Sequence, residues 1–364
     1  MQTVPWHRPL VRSLACAVLM ALSASAVAAE PRTAAEGVAP VPPRGHGSQG
    51  SAQGEAARDE AASIQALTTV GKTTIYAGSF GMGIFRSENR GSVWTSTNEG
   101  LTDPFILSLA TGKDGVIYAG TFRGGVFRSR DKGNTWQPLN EGLKRLEIKT
   151  LLVTATAIYA GTGDGVYILN AEGTKWTVVT EGLDEILVHS IAKAKDGTLY
   201  AGTSGKGVLR FKERSAGWTR LRQGLRDHEG LVENFIRVLA IDKDQGIYAG
   251  TFDGGVFRSA DGGQTWTPIS RALPNDSIRG VISNDRGIYV ATGRGIYKTV
   301  DRGGQWTPLN KGLSNLSVQV LIEAGDGVWF AGTNSGVFRS DDDGLSWTAV
   351  SEGLQGETVS PFRF

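Results

Sequence analysis

The chain has 364 residues, 38 Lys plus Arg against 36 Asp plus Glu, a formal net charge of +2 and one cysteine. So small an excess argues against nucleic acid as the partner, which needs a concentrated basic footprint. A single cysteine rules out an internal disulfide framework, so burial and strand pairing must hold the fold.

Residues 1–29 read as a secretory signal peptide: His7, Arg8 and Arg12 form a basic start, Leu14 to Leu22 an apolar run, and Ala26-Val27-Ala28-Ala29 a small-residue cleavage site. The run is too short for a membrane span, and no later segment is long and apolar enough for one. Cys16 precedes most of the run and Ser13 stands three residues before it, which does not fit a lipid-attachment signal. Arg8 and Arg12 would leave with the leader, balancing the charge of the mature chain. The expectation is export, to the periplasm or beyond the cell. Residues 30–62 are rich in Ala, Pro, Gly, Glu and Ser, with Pro40, Pro42 and Pro43 close together, and read as a flexible tether. Residues 63–364 suffice for one large domain.

That domain is repetitive. Trp94, Trp136, Trp176, Trp218, Trp266, Trp306 and Trp347 recur at intervals of 42, 40, 42, 48, 40 and 41 residues. In the second repeat, Ile106 to Ala110 alternates as a strand, Ile117-Tyr118-Ala119-Gly120-Thr121 is a second strand, and Phe122-Arg123-Gly124-Gly125 a glycine turn. Val126-Phe127-Arg128-Ser129 is a third strand, and Trp136 opens a fourth before Asn140-Glu141-Gly142-Leu143. Four short strands every 40–45 residues, with no helical period, predict an all-β fold: a seven-bladed β-propeller with four antiparallel strands per blade. The first blade has its own first strand, Ile64 to Val70, and Val359 to Phe364 falls where an eighth would begin. Either that segment pairs beside blade one as a clasp, the favoured expectation for a ring that must join its ends, or it is a loose tail.

The turn before each Trp carries a motif. Ser129-x-Asp131-x-Gly133-x-x-Trp136 recurs as Ser259, Asp261, Gly263 and Trp266, as Thr299, Asp301, Gly303 and Trp306, and as Ser340, Asp342, Gly344 and Trp347. Ser87, Asn89, Gly91 and Trp94 differ only by an amide, whereas the third and fourth blades place Leu169 and Ala171, then Phe211 and Glu213, in the Ser and Asp positions. This pattern resembles the Asp-box, or BNR, repeat shared by sialidases, xyloglucanases, sortilin-type receptors and Ycf48-type photosystem II assembly factors, and the resemblance covers nearly all of residues 63–354. The box residues themselves are read as structural: Ser and Asp accept backbone N–H bonds in a tight turn, and Trp fills the space between blades. Asp341-Asp342-Asp343-Gly344 lacks the ligand spacing of a calcium loop, and no metal or cofactor is expected.

The resemblance implies that the boxes lie away from the ligand face, leaving the other mouth to the interblade links and second hairpins. There the second residue of each first strand reads Gln65, Leu107, Lys149, His189, Arg237, Arg279 and Gln319, polar in six of seven copies within an apolar strand. Lys149, His189, Arg237 and Arg279, with Arg123, Lys206 and Arg294 on hairpins opposed by Asp164 and Asp253, form a candidate anion site; Arg suits carboxylate or phosphate because its planar fork donates two parallel bonds. The plainer alternative is that these cations reach solvent or pair with Asp164, Glu147 and Glu185. The long link 223–234 holds Asp227, His228, Glu229 and Glu233, read as a charged surface loop rather than a metal site. Phe80, Phe122 and Phe252 are read as packing between blades rather than as sugar platforms.

A sialidase needs an F-R-I-P segment and a unique arginine triad; Phe-Arg-Ser instead recurs at Phe85, Phe127, Phe257 and Phe338. A xyloglucanase would need a second propeller, and a glycosidase two carboxylates at a defined separation. Nothing sets Asp164 and Asp253 apart from Asp103 or Asp276. The favoured expectation is a monomeric, non-catalytic propeller that binds a protein, saccharide or other anionic ligand through its mouth. A glycoside hydrolase or sialidase-like enzyme is the alternative.

Overall fold

The computed structural model describes residues 61–180, 185–212, 217–221, 223–225, 235–275 and 277–355. The expected leader, nearly all of the tether, residues 226–234 of the long link, Glu213, Asp276 and the segment from Val359 to Phe364 lie outside them. The described chain is a seven-bladed β-propeller, each blade a four-stranded antiparallel sheet whose strands follow in sequence order. Blade one comprises β1 (Ile64–Val70), β2 (Thr74–Ser79), β3 (Ile84–Ser87) and β4 (Thr95–Ser96). The first strands of the next six blades are β5 (Ile106–Thr111), β9 (Ile148–Val153), β13 (Val188–Lys193), β17 (Ile236–Ile241), β21 (Ile278–Asn284) and β25 (Val318–Gly325). Each packs on its neighbours, and β1 meets β25, so these seven strands ring the axis.

The repeated words are explained by how blades touch. In Y-A-G-T the glycine leaves room for the next blade: a Cβ on Gly78 would overlap Cγ2 of Ile106, and one on Gly332 would lie 2.7 Å from Cγ2 of Ile64. The second pair is the ring seam. In N-E-G-L, Asn98 accepts the Ile84 N–H through Oδ1 and donates to the Met82 carbonyl, so it braces the second hairpin. Gly100 has φ 80°, and a Cβ there would overlap the carbonyl oxygen of Trp136. The Trp136 N–H donates to the Glu99 carbonyl, and its indole N–H to the Thr97 carbonyl of blade one. Trp136 is thus bonded across a joint between blades as well as packed in it.

At the seam, Trp94 donates its indole N–H to the Val350 carbonyl and its backbone N–H to the Glu352 carbonyl. Ile64, Phe85, Trp94, Phe330, Val337 and Leu354 form one buried cluster there. Blade one is therefore complete from its own contiguous strands, and blade seven packs on it directly.

The box turns follow one hydrogen-bond scheme. Ser259 Oγ donates to Asp261 and accepts the Gly263 N–H, while Asp261 accepts the Thr265 N–H and hydroxyl. In blade one Asn89 Oδ1 accepts the Ser87 hydroxyl and the Val93 N–H, so an amide serves. In blade three, where Ser and Asp are missing, Asn170 Oδ1 accepts the N–H groups of Thr174 and Lys175. The last box keeps the scheme read from the sequence, and its three consecutive acids have separate roles. Asp341 pairs with Arg339, Asp342 is the box residue, and Asp343 reaches towards blade six. There Asp343 accepts bonds from the Tyr289 hydroxyl (2.7 Å), Lys298 (2.9 Å) and the Trp329 indole (3.1 Å) and pairs with Arg286.

Candidate functional site

The box turn joins the third and fourth strands, so it shares one end of each blade with the turn between the first and second. The other end carries the interblade link and the second hairpin, bonded to each other: Phe122 N–H donates to the Phe105 carbonyl, and Phe252 N–H to the Phe235 carbonyl. The mouth is this second end.

At the mouth each first strand contains the same irregularity. Ile106 pairs with Thr121 and Ser108 with Gly120, leaving Leu107 without a partner. The pairing skips Gln65, Lys149, His189, Arg237, Arg279 and Gln319 in the same way. A bulge adds one residue on one strand and re-aims its side chain. The polar slot noted in the sequence is therefore a sevenfold bulge around the axis, basic on blades three, five and six.

The four central residues are not equivalent. Lys149 forms a 2.6 Å ion pair with Glu147, as the plainer alternative anticipated. His189 shares a 2.7 Å hydrogen bond with the Ser204 hydroxyl and lies 4.9 Å, centroid to centroid, from the Phe235 ring. Burial, reinforced by the charges of Lys149 and Arg237, pushes its pKa down to about 4. His189 is neutral at neutral pH and adds no positive charge, which corrects its place among the cations. Arg237 has its pKa lowered to about 10, first by burial and then by the Arg279 charge, and stays cationic. Arg279 donates through Nη1 to Ser317 Oγ at 2.8 Å, and its Nε is buried without a partner among the described residues. No hydrogen bond or ion pair engages Arg237 among the described residues. At the slot itself, the charge available to a ligand comes from Arg237 and Arg279.

The surrounding residues fall elsewhere than expected. Asp164 accepts the Thr162 and Tyr167 hydroxyls at 2.7 and 2.9 Å, so it braces its own hairpin instead of opposing the cations. Arg123, Lys206, Asp253 and Arg294 are exposed on hairpins at the rim, and Glu185 is exposed on a link. Phe80 and Phe252 are 38% and 46% exposed at the rim; Phe80 still packs against blade two, whereas Phe252 meets Phe235 of its own blade. Phe80 packs edge-on against Phe105 at 4.9 Å and lies 6.4 Å from Phe122. Sequence reasoning passed over Asp103, which resembles any loop acid. It is buried, and it accepts the N–H groups of Arg123, Gly124 and Phe105, tying the second hairpin of blade two to the link before it.

This geometry defines a class: a seven-bladed propeller built on Asp-box repeats, with a bulged, partly basic mouth. A BNR-Asp box repeat matches residues 84–97, the stretch that ends on Trp94 and its strand. No curated protein sequence matches the chain. Among solved structures, one described as YCF48 bound to D1 peptide is similar with a TM-score of 0.61 and 12% identity, over 76% of this chain and 92% of that one. YCF48 from Cyanidioschyzon merolae is similar with a TM-score of 0.58 and 16% identity, over 76% and 94%. The GH74 enzyme of Niastella koreensis gives a TM-score of 0.63 and 17% identity over 81% of this chain, which spans 55% of that enzyme. At these identities the likeness is one of fold. Among the described residues no helix is long and apolar enough to cross a membrane.

Proposed function

We propose that this protein is an exported, non-catalytic propeller whose mouth docks an anionic group of a partner. The observation that supports the proposal is the bulged slot, which carries Arg237 and Arg279 at the same register position of adjacent blades, at the mouth end of their first strands. Two half-buried guanidinium groups, their pKa values lowered by burial and that of Arg237 also by the Arg279 charge, suit a ligand carboxylate or phosphate. A peptide is a fitting partner, as the peptide complex of YCF48 illustrates for a propeller of this shape.

Three carboxylates of the mouth are already engaged, which favours docking over hydrolysis. Glycoside hydrolysis needs an acid and a second carboxylate facing each other across the bond. Here Glu147 is paired with Lys149, Asp164 holds its own hairpin, and Asp103 is buried on backbone N–H groups. A thermal-shift panel of acidic peptides, phosphate, and acidic and neutral oligosaccharides tests the reading. Ligand at a hundred times its Kd stabilises by about 2.7 kcal/mol, which moves a domain of this size by a few degrees. A shift confined to anions is expected. Turnover of an oligosaccharide, or a shift with neutral sugars alone, would overturn it.

A further inference from the structure

Beside the basic slot, between blades two and three, the mouth holds an open depression of about 420 Å³. Phe122, Leu146 and Leu187 supply its apolar surface, and Arg123, Arg145 and Glu147 its polar lip. Glu147 is already paired with Lys149, so the lip is left with the two arginines as its net charge. Leu146 is 40% exposed, and nothing within the described residues covers it. Two cations lie over the ring of Phe122, Arg123 at 5.2 Å and Lys149 at 5.8 Å from its centroid. Asp103 fixes this hairpin by accepting the Arg123 and Gly124 N–H groups, so the depression is built on a braced loop.

We infer that this depression is a side-chain subsite of the mouth, taking an aromatic or long aliphatic residue of a peptide segment that also presents carboxylates. The inference rests on the anion-docking reading and adds the apolar determinant to it. Volume and chemistry agree: the space is within the range of small-molecule pockets and is lined by both apolar and cationic side chains. Charge complementarity selects an acidic segment, since Arg123 and Arg145 line the depression and are both exposed. The apolar surface is Phe and Leu, and among the described residues no Trp or Tyr lines it. That favours a buried side chain over a flat sugar ring, which stacks on a broad, polar-tipped aromatic face.

The test uses three fluorescein-labelled twelve-residue peptides on a Gly-Ser backbone and the full protein. One carries Phe beside two Asp, the second has Ala for that Phe, and the third has Asn for both Asp. Fluorescence anisotropy should show the first binding at least about tenfold more tightly than the second, and the third scarcely binding. Phe122→Ala and, independently, the exposed Leu146→Ser should bring the first peptide to the affinity of the second while leaving the second unchanged. Equal binding of the first two peptides to the parent, or an unaltered preference in both variants, would overturn the subsite while leaving anion docking intact. Failure of every acidic peptide to bind would overturn both. Binding of a neutral xyloglucan oligosaccharide that is lost in Phe122→Ala would reassign the depression to sugar.

Discussion

Replacing Asp261 by Ala isolates what an Asp box does. Its carboxylate accepts the Thr265 hydroxyl at 2.6 Å, the Thr265 N–H at 2.9 Å and the Ser259 hydroxyl at 2.8 Å. The Thr265 bonds, then that from Ser259, hold its pKa down to about 2 against burial. Because the group is almost fully exposed, solvent screens these bonds, and the loss should resemble that of a helix cap, about 1–2 kcal/mol. For a domain of this size that is a fall in Tm of roughly 2–6 °C. Asp261→Asn should lose far less, because Asn89 already makes the corresponding bonds in blade one. The folded pKa lies below the ordinary carboxylate value, so the stabilisation is complete above about pH 4 and disappears as pH falls through about 2. Scanning calorimetry from pH 7 to pH 2, with peptide binding measured alongside, checks all three points. An equal loss for Asn and Ala, or lost binding with unchanged melting, would refute a structural role for the box.

Three further outcomes follow from other parts of the ring. Gly332→Ala places a Cβ 2.7 Å from Ile64 at the seam and should cost about 1–3 kcal/mol in denaturant unfolding; a variant as stable as the parent would contradict direct packing of blade seven on blade one. Asp343→Ala leaves Lys298, Arg286, the Tyr289 hydroxyl and the Trp329 indole without their shared acceptor, so about 2–3 kcal/mol should be lost with the mouth unaffected. His189 has a folded pKa near 4, below its unfolded value; the parent should therefore lose stability relative to His189→Gln as pH falls from about 6.5 towards 4, with no pH-dependent difference above that window. Parallel pH profiles for the two proteins would place His189 in solvent.

The architecture was legible because its causes are local and repeated. The Trp period sets the blade count, and Y-A-G-T and N-E-G-L carry glycines that touch the next blade in most copies, with Ala291 and Ala272 as exceptions. The mouth was legible only in outline. Comparing repeats singled out the slot of Lys149, His189, Arg237 and Arg279, but the bulge that re-aims it exists only in the pairing between strands. Burial of His189 depends on Phe235 and Ser204, and the engagement of Asp164 on Tyr167, neither of which a slot-by-slot comparison weighs. Asp103 and Asn170 escaped notice for a related reason. Each is a common loop residue whose role is set by backbone N–H groups that point at it only once the chain is folded. Packing between blades holds for Phe80, which meets Phe105 of blade two, but not for Phe252, whose ring lies against Phe235 of its own blade.

Anion docking by Arg237 and Arg279 is tested most directly by titrating the Phe-and-Asp peptide into the parent and into Arg237→Ala/Arg279→Ala by isothermal calorimetry, with the melting temperature of each protein recorded first. The account predicts that the double variant melts no lower than the parent, since burial of the two guanidinium groups is relieved, and binds at least about tenfold more weakly. Equal affinity in the two proteins would contradict it.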